Sequence, residues 1–239
     1  MHRLDIDPPV LADLSENQLQ KMRKAGEAMI TAERQLAKAG HSLVERIVGD
    51  PSSFEPWKRY PEPDVFDYES GSQYYFHAHD DRPQEYGHFH LFLREEALPM
   101  DAEAFRVTSD EDSAIAHLVA ISMDRRGRPL KLFTTNGWVT SEDFYPATEI
   151  IAALSKFDVN HTHPCLALNQ WLSAAVVFFG PHIQALLRGR DTRLAPFAKE
   201  KSWEQVLEDR TWEVITRMEV SPEAQMREIV TKLARNVAS

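Results

Sequence analysis

Cysteine is almost absent: the 239-residue chain has one, Cys165. A single thiol excludes an intramolecular disulfide and any cysteine-rich zinc site. Long apolar runs are missing too. The most apolar stretch, WLSAAVVFFG at 171–180, is too short to cross a bilayer and is closed by Pro181 and His182. The opening MHRLDIDPPV has no apolar segment of the secretory kind, so a cytoplasmic location is the default. Positive charge is in deficit, with 27 Lys and Arg against 37 Asp and Glu and a net charge of -10. Nucleic-acid binding draws on cations that neutralise phosphates, so that class is disfavoured. The short basic clusters Arg125, Arg126, Arg128 and Arg188, Arg190, Arg193 read as solvated turns. The expected partner is a small-molecule substrate or ligand, with neither nucleic acid nor membrane, and oligomeric state is not legible.

With 43% hydrophobic and 27% charged residues, the composition is that of a folded globular protein. A single domain over 1–239 is expected, with N-terminal helices at 15–48, a sheet at 64–135 and C-terminal helices at 147–237. Ser15 and Gln18 form a capping-box pattern, and Leu19, Met22, Gly26, Met29 and Leu36 then share one helical face. Gly40 fits the stop, and a second short helix follows at 41–48. Pro51, Pro56, Pro61 and Pro63, with Trp57 and Tyr60 between them, predict a loop packed by its aromatics.

From Val65 the apolar period becomes two, with candidate strands at 64–69, 72–79, 86–94, 115–123 and 129–135. The turn Asp124-Arg125-Arg126-Gly127 joins the last two, and the acidic segment 108–113 reads as a surface loop. Helices are predicted at 147–157, 165–187, 202–217 and 222–237, the last begun by Ser221-Pro222. The class is α+β, an antiparallel sheet flanked by helices from both ends.

Histidine is concentrated where little else is. Four of the ten lie in YYFHAHDDRPQEYGHFHLFLR, residues 74–94, as the pairs His77, His79 and His88, His90. Side chains alternate along a strand, so each pair shares a face. A hairpin with His79 opposite His88 and His77 opposite His90 would bring all four together, while Tyr74, Phe76, Phe89, Leu91 and Leu93 form the opposite, core face. Imidazole clusters of this kind suit a divalent transition metal, with iron or manganese favoured and zinc or copper possible. Glu85 is the carboxylate best placed to join them as ligand or catalytic base, whereas Asp80 and Asp81 read as loop residues.

A third pair, His161 and His163 in NHTHPC, could complete the site if its loop folds over the sheet, or could be polar residues at a helix start. His117, in the apolar run AIAHLVAIS, reads as a core histidine. Asp67 and Glu69 extend the polar face by parity alone and could orient imidazoles.

Gly71, His77, His79 and Glu85 follow the order of the first cupin motif, although Phe92 stands where a glycine is expected and no second motif is present. That partial resemblance implies a β-borne metal centre of the oxygenase or isomerase kind. The longer phrase SGSQYYFHAHDDRPQEYGHFHLFLR resembles an uncharacterised bacterial domain family, a domain of unknown function, and implies no activity. The reading that follows is a metal-dependent enzyme with non-haem redox chemistry on a small molecule. Its alternatives are a non-catalytic metal- or ligand-binding protein and a zinc-dependent hydrolase.

Overall fold

The computed structural model describes residues 3–49, 54–79, 84–105 and 115–237. The acidic segment 108–113 and loop residues Asp80, Asp81 and Arg82 lie outside them. The first long helix, α1 (Glu16–Lys38), is capped as predicted: the Ser15 hydroxyl accepts from Gln18 N and the Gln18 side chain accepts from Ser15 N. Leu19, Met22, Met29 and Leu36 are buried, and Gly40 takes the left-handed conformation at φ 78° that its missing Cβ permits. α2 (Leu43–Val48) has its own capping box from Ser42 and Glu45.

Seven strands form one open sheet: β1 (Leu4–Asp5), β2 (Tyr60–Asp67), β3 (Ser72–His77), β4 (Gly87–Arg94), β5 (Ile115–Met123), β6 (Pro129–Thr135) and β7 (Val214–Glu219). Their order is β1-β7-β6-β5-β4-β3-β2. Only the β1–β7 pair is parallel among the described strands. A single open sheet differs from the double-sheet jelly roll of a cupin. β2 begins at Tyr60, earlier than the predicted 64, and takes in Pro61 and Pro63. It is an edge strand, where a missing backbone N–H is tolerated. Phe54 stacks on Tyr60 and Tyr86, so this loop does pack by aromatics, while Trp57 stays 59% exposed.

Two predicted helices are corrected. The stretch 165–187 is two helices, α5 (Leu166–Phe178) and α6 (Gly180–Ala198). Pro181 lacks an N–H to donate, so it suits the first turn of a new helix rather than the middle of an old one. The stretch 202–217 gives only α7 (Trp203–Leu207) before β7. Val214, Ile215 and Thr216 are β-branched and favour extended backbone, and β6 offers an edge to pair with. Thr134 and Thr216 join hydroxyls across that pair at 2.7 Å. The remaining helices are α3 (Gly137–Thr140), α4 (Ala147–Ala153) and α8 (Pro222–Val237).

Parity divides the sheet. Tyr74, Phe76, Phe89, Leu91, Ile121 and Leu132 are fully buried members of the main core, together with Trp171, Leu172 and Ala175 of α5. α1 packs along α5 and α8. The opposite face carries Tyr75, His77, His88, His90, Phe92 and Phe133.

Candidate metal centre

The β3–β4 ladder fixes the site. His77 is opposite His88, Tyr75 opposite His90 and Phe76 opposite Phe89. The pairing is shifted by two residues from the predicted register. Because two is the side-chain period, both H-x-H pairs still face the same way. The shift leaves His79 beyond the end of β3, where Trp57 stacks edge-on against it with centroids 4.1 Å apart.

His77, His88 and His90 each bring one ring nitrogen within 4.8 Å of the others. The ring centroids are 4.5 Å apart for His77–His88, 4.8 Å for His88–His90 and 5.3 Å for His77–His90. His79 adjoins this group: its Nε2 is 3.0 Å from Nε2 of His77, and its ring lies 5.2 Å from that of His88. Burial rises inward, from half-buried His77 and His79 to His88 at 2% and His90 at 0% exposure. His90 Nε2 is a buried nitrogen with no hydrogen-bond partner. A polar atom left so in an interior calls for an explanation, and a lone pair aimed at a metal ion supplies one. The donor set fits a divalent transition metal.

Glu85 sits just before β4. Its Oε1 is 2.7 Å from His88 Nδ1, and its Oε2 accepts from the Ser122 hydroxyl at 2.6 Å and from Lys131 Nζ at 3.1 Å. Burial alone would push this carboxyl up. The His88 hydrogen bond and charge, the Ser122 hydroxyl and the Lys131 ammonium outweigh it and hold the group well below the usual carboxylate range. An ionised Glu85 accepts a hydrogen bond from His88 Nδ1–H and so leaves Nε2 as the nitrogen with the free lone pair, the arrangement that orients metal-binding imidazoles. Ser122 and Lys131 reach it because Ser122 pairs with both His88 and Lys131.

His161 and His163 are not brought to this group. Their backbone carbonyls both accept from Asn169 Nδ2 at 2.8 Å. Asn169 Oδ1 in turn accepts from the Tyr74 hydroxyl at 2.5 Å, on the helix-covered face. Asp67 and Glu69 are also elsewhere. Asp67 accepts from Glu69 N, Ser70 N and Asn160 N, which makes it the organiser of the β2–β3 turn, where Gly71 has φ 70°.

One residue of the cluster was read from sequence only as core. His117 is 2% exposed, with Nε2 3.1 Å from His90 Nδ1 and Nδ1 3.3 Å from Thr135 Oγ1. It is a satisfied core histidine and also the fifth ring of the cluster.

Among the described residues no helix is long and apolar enough to cross a membrane. Comparison with curated proteins and with solved structures gave no match. One family model matches residues 23–220, which span the cluster and all of the sheet but β1. On that match, the chain belongs to the family described as Domain of unknown function (DUF6969).

Proposed function

We propose that this protein is a metal-dependent enzyme whose divalent transition metal is held by His77, His88 and His90, with redox chemistry on a small molecule as its activity. The observation that supports it is the approach of three ring nitrogens to within 4.8 Å of one another. Three neutral imidazoles leave an ion its full double charge, which favours an anionic or electron-rich small molecule as a further ligand. An all-nitrogen set suits iron, copper and zinc better than manganese, which prefers oxygen donors. Bound there, the ion would supply Lewis acidity or one-electron chemistry. The chain's own residues orient it: Glu85 fixes His88, while Tyr75 and Phe133 border the rings, at 5.0 Å from His90 and 5.2 Å from His88.

A second reading, a non-catalytic metal-binding protein, draws support from the near-complete burial of His88 and His90. The experiment that separates the readings is elemental analysis of the purified protein and of His77→Ala and His90→Ala, followed by anaerobic loading with Fe(II) and exposure to oxygen. Bound metal in the parent and its loss in both variants are expected. Metal retained by both variants removes the site. Metal that is bound but inert to oxygen, with or without candidate substrates, favours the second reading.

A further inference from the structure

His117 reaches the histidine face through a defect in the sheet. The β4–β5 pairing runs Phe89↔Ile121, His90↔Ala120, Leu91↔Val119, then slips to Phe92↔His117. Strict alternation from Ser122 and Ala120 would put Leu118 on the histidine face and His117 among the helices. The extra residue reverses the parity, and Leu118 joins the main core instead.

The consequence is a short chain of buried groups: Thr135 Oγ1, His117 and His90, linked at 3.3 Å and 3.1 Å, and ending at the unpartnered His90 Nε2. Both rings are buried, His90 at 0% and His117 at 2% exposure, and the interior disfavours a charged imidazole, so each is neutral, with one N–H and one lone pair.

Two proton arrangements satisfy the chain, and both hold the same protons. In the first, His90 Nδ1–H donates to His117 Nε2, and His117 Nδ1–H donates to Thr135. His90 Nε2 then presents a lone pair to the cluster. In the second, the Thr135 hydroxyl donates to His117 Nδ1, and His117 Nε2–H donates to His90 Nδ1. His90 Nε2 then points a hydrogen at the cluster. Thr135 is 2% exposed, so the chain ends inside the protein. It is built to hold a tautomer rather than to carry protons to solvent.

We infer, on the reading that the cluster binds a metal, that His117 is a positioning residue. By accepting from His90 Nδ1–H it commits His90 Nε2 to the ion.

The test is zinc titration of the parent, His117→Leu and His117→Gln, with ¹⁵N NMR of the imidazole rings in the zinc-loaded parent. His117→Leu lowers zinc affinity about 10–100-fold, the usual cost of losing such a partner. His117→Gln, whose amide oxygen can accept from His90, recovers most of it, and the spectrum places the His117 proton on Nδ1. Equal affinity of all three proteins, or a His117 proton on Nε2 in the loaded parent, overturns the inference. The NMR arm uses the unaltered chain, so a variant that fails to fold leaves the inference open to refutation. A parent that binds no zinc sinks the metal reading and this inference with it. A parent that binds zinc with His117 in the wrong tautomer sinks the inference alone.

Discussion

His77 stands directly opposite His88 in the β3–β4 ladder. That pairing decides which imidazoles meet. His90 lies two pairs deeper, opposite Tyr75, and completes a triangle with the first two. His79, past the strand end, meets the group through His77. The site is thus graded, half-buried at His77 and His79 and dry at His90, with Glu85 gripping the histidine in the middle.

Glu85 holds His88, Ser122 and Lys131 at once. Glu85→Ala is expected to lower stability by about 3–5 kcal/mol, because a nearly buried ion pair loses one member. It should also weaken metal binding about 10–100-fold through disorientation of His88. Glu85→Gln keeps an acceptor for His88 and should be milder on both counts. Urea unfolding and zinc titration of the two variants check this. Equal effects of Ala and Gln would mean that the retained acceptor contributes nothing and that the loss comes from the charge alone.

Gly87 begins β4 where no side chain fits. A Cβ there would lie 2.3 Å from Phe76 Cζ and 2.6 Å from the His77 carbonyl oxygen. The ring could shift, but the carbonyl belongs to His77, one of the three proposed ligands. Gly87→Ala should cost about 1–3 kcal/mol by overpacking and displace His77 relative to His88. Thermal unfolding and zinc affinity should therefore fall together. Gly26→Ala is the control, since its nearest contact is the flexible tip of Met226 at 2.3 Å, remote from the histidines in the fold, and zinc affinity should be unmoved.

The sheet and the shared face of the two H-x-H pairs were legible because strand parity is a local property. Register was not, because it depends on how the connection at 78–86 folds, and a two-residue slip leaves parity unchanged. His117 was legible only as core. The bulge that turns it over lies in AIAHLVAIS, with no glycine or proline to mark it. β7 was hidden for a different reason. Its residues suit either a helix end or a strand, and the partner edge that decides between them is β6, distant in sequence. The side of the sheet taken by the His161 loop was likewise a tertiary fact, set by the Asn169–Tyr74 bond.

That bond gives a prediction that separates fold from site. Asn169 is 0% exposed and holds Tyr74 and the carbonyls of His161 and His163. Asn169→Leu strands a buried phenol and two carbonyls. Each buried unsatisfied group costs about 1–3 kcal/mol, with the carbonyls partly recovered by solvent. A loss of several kcal/mol in urea unfolding is expected, with zinc stoichiometry retained in the folded fraction. Metal lost while the protein remains folded would tie the His161 loop to the centre after all.

The last prediction concerns acid. His182, in the first turn of α6, is 5% exposed, and burial lowers its pKa from 6.5 to about 4. Its Nδ1 is buried without a partner. The folded state therefore binds this proton less readily than the unfolded chain does. The sign follows: the contribution to stability is fully present above pH 6.5 and is lost progressively as pH falls toward 4. Integrating between pH 7 and pH 5, the loss is about 2 kcal/mol from this side chain. His182→Leu removes the titration while keeping apolar contact with the Phe179 ring, whose centroid is 5.7 Å away. Relative to the parent, the variant should gain about 2 kcal/mol between pH 7 and pH 5 in urea unfolding. Other acid-sensitive groups, including Glu85 and His117, are common to both proteins and cancel in the difference. Parallel stability–pH curves for parent and variant would show that His182 takes up its proton in the folded protein as easily as in the unfolded one.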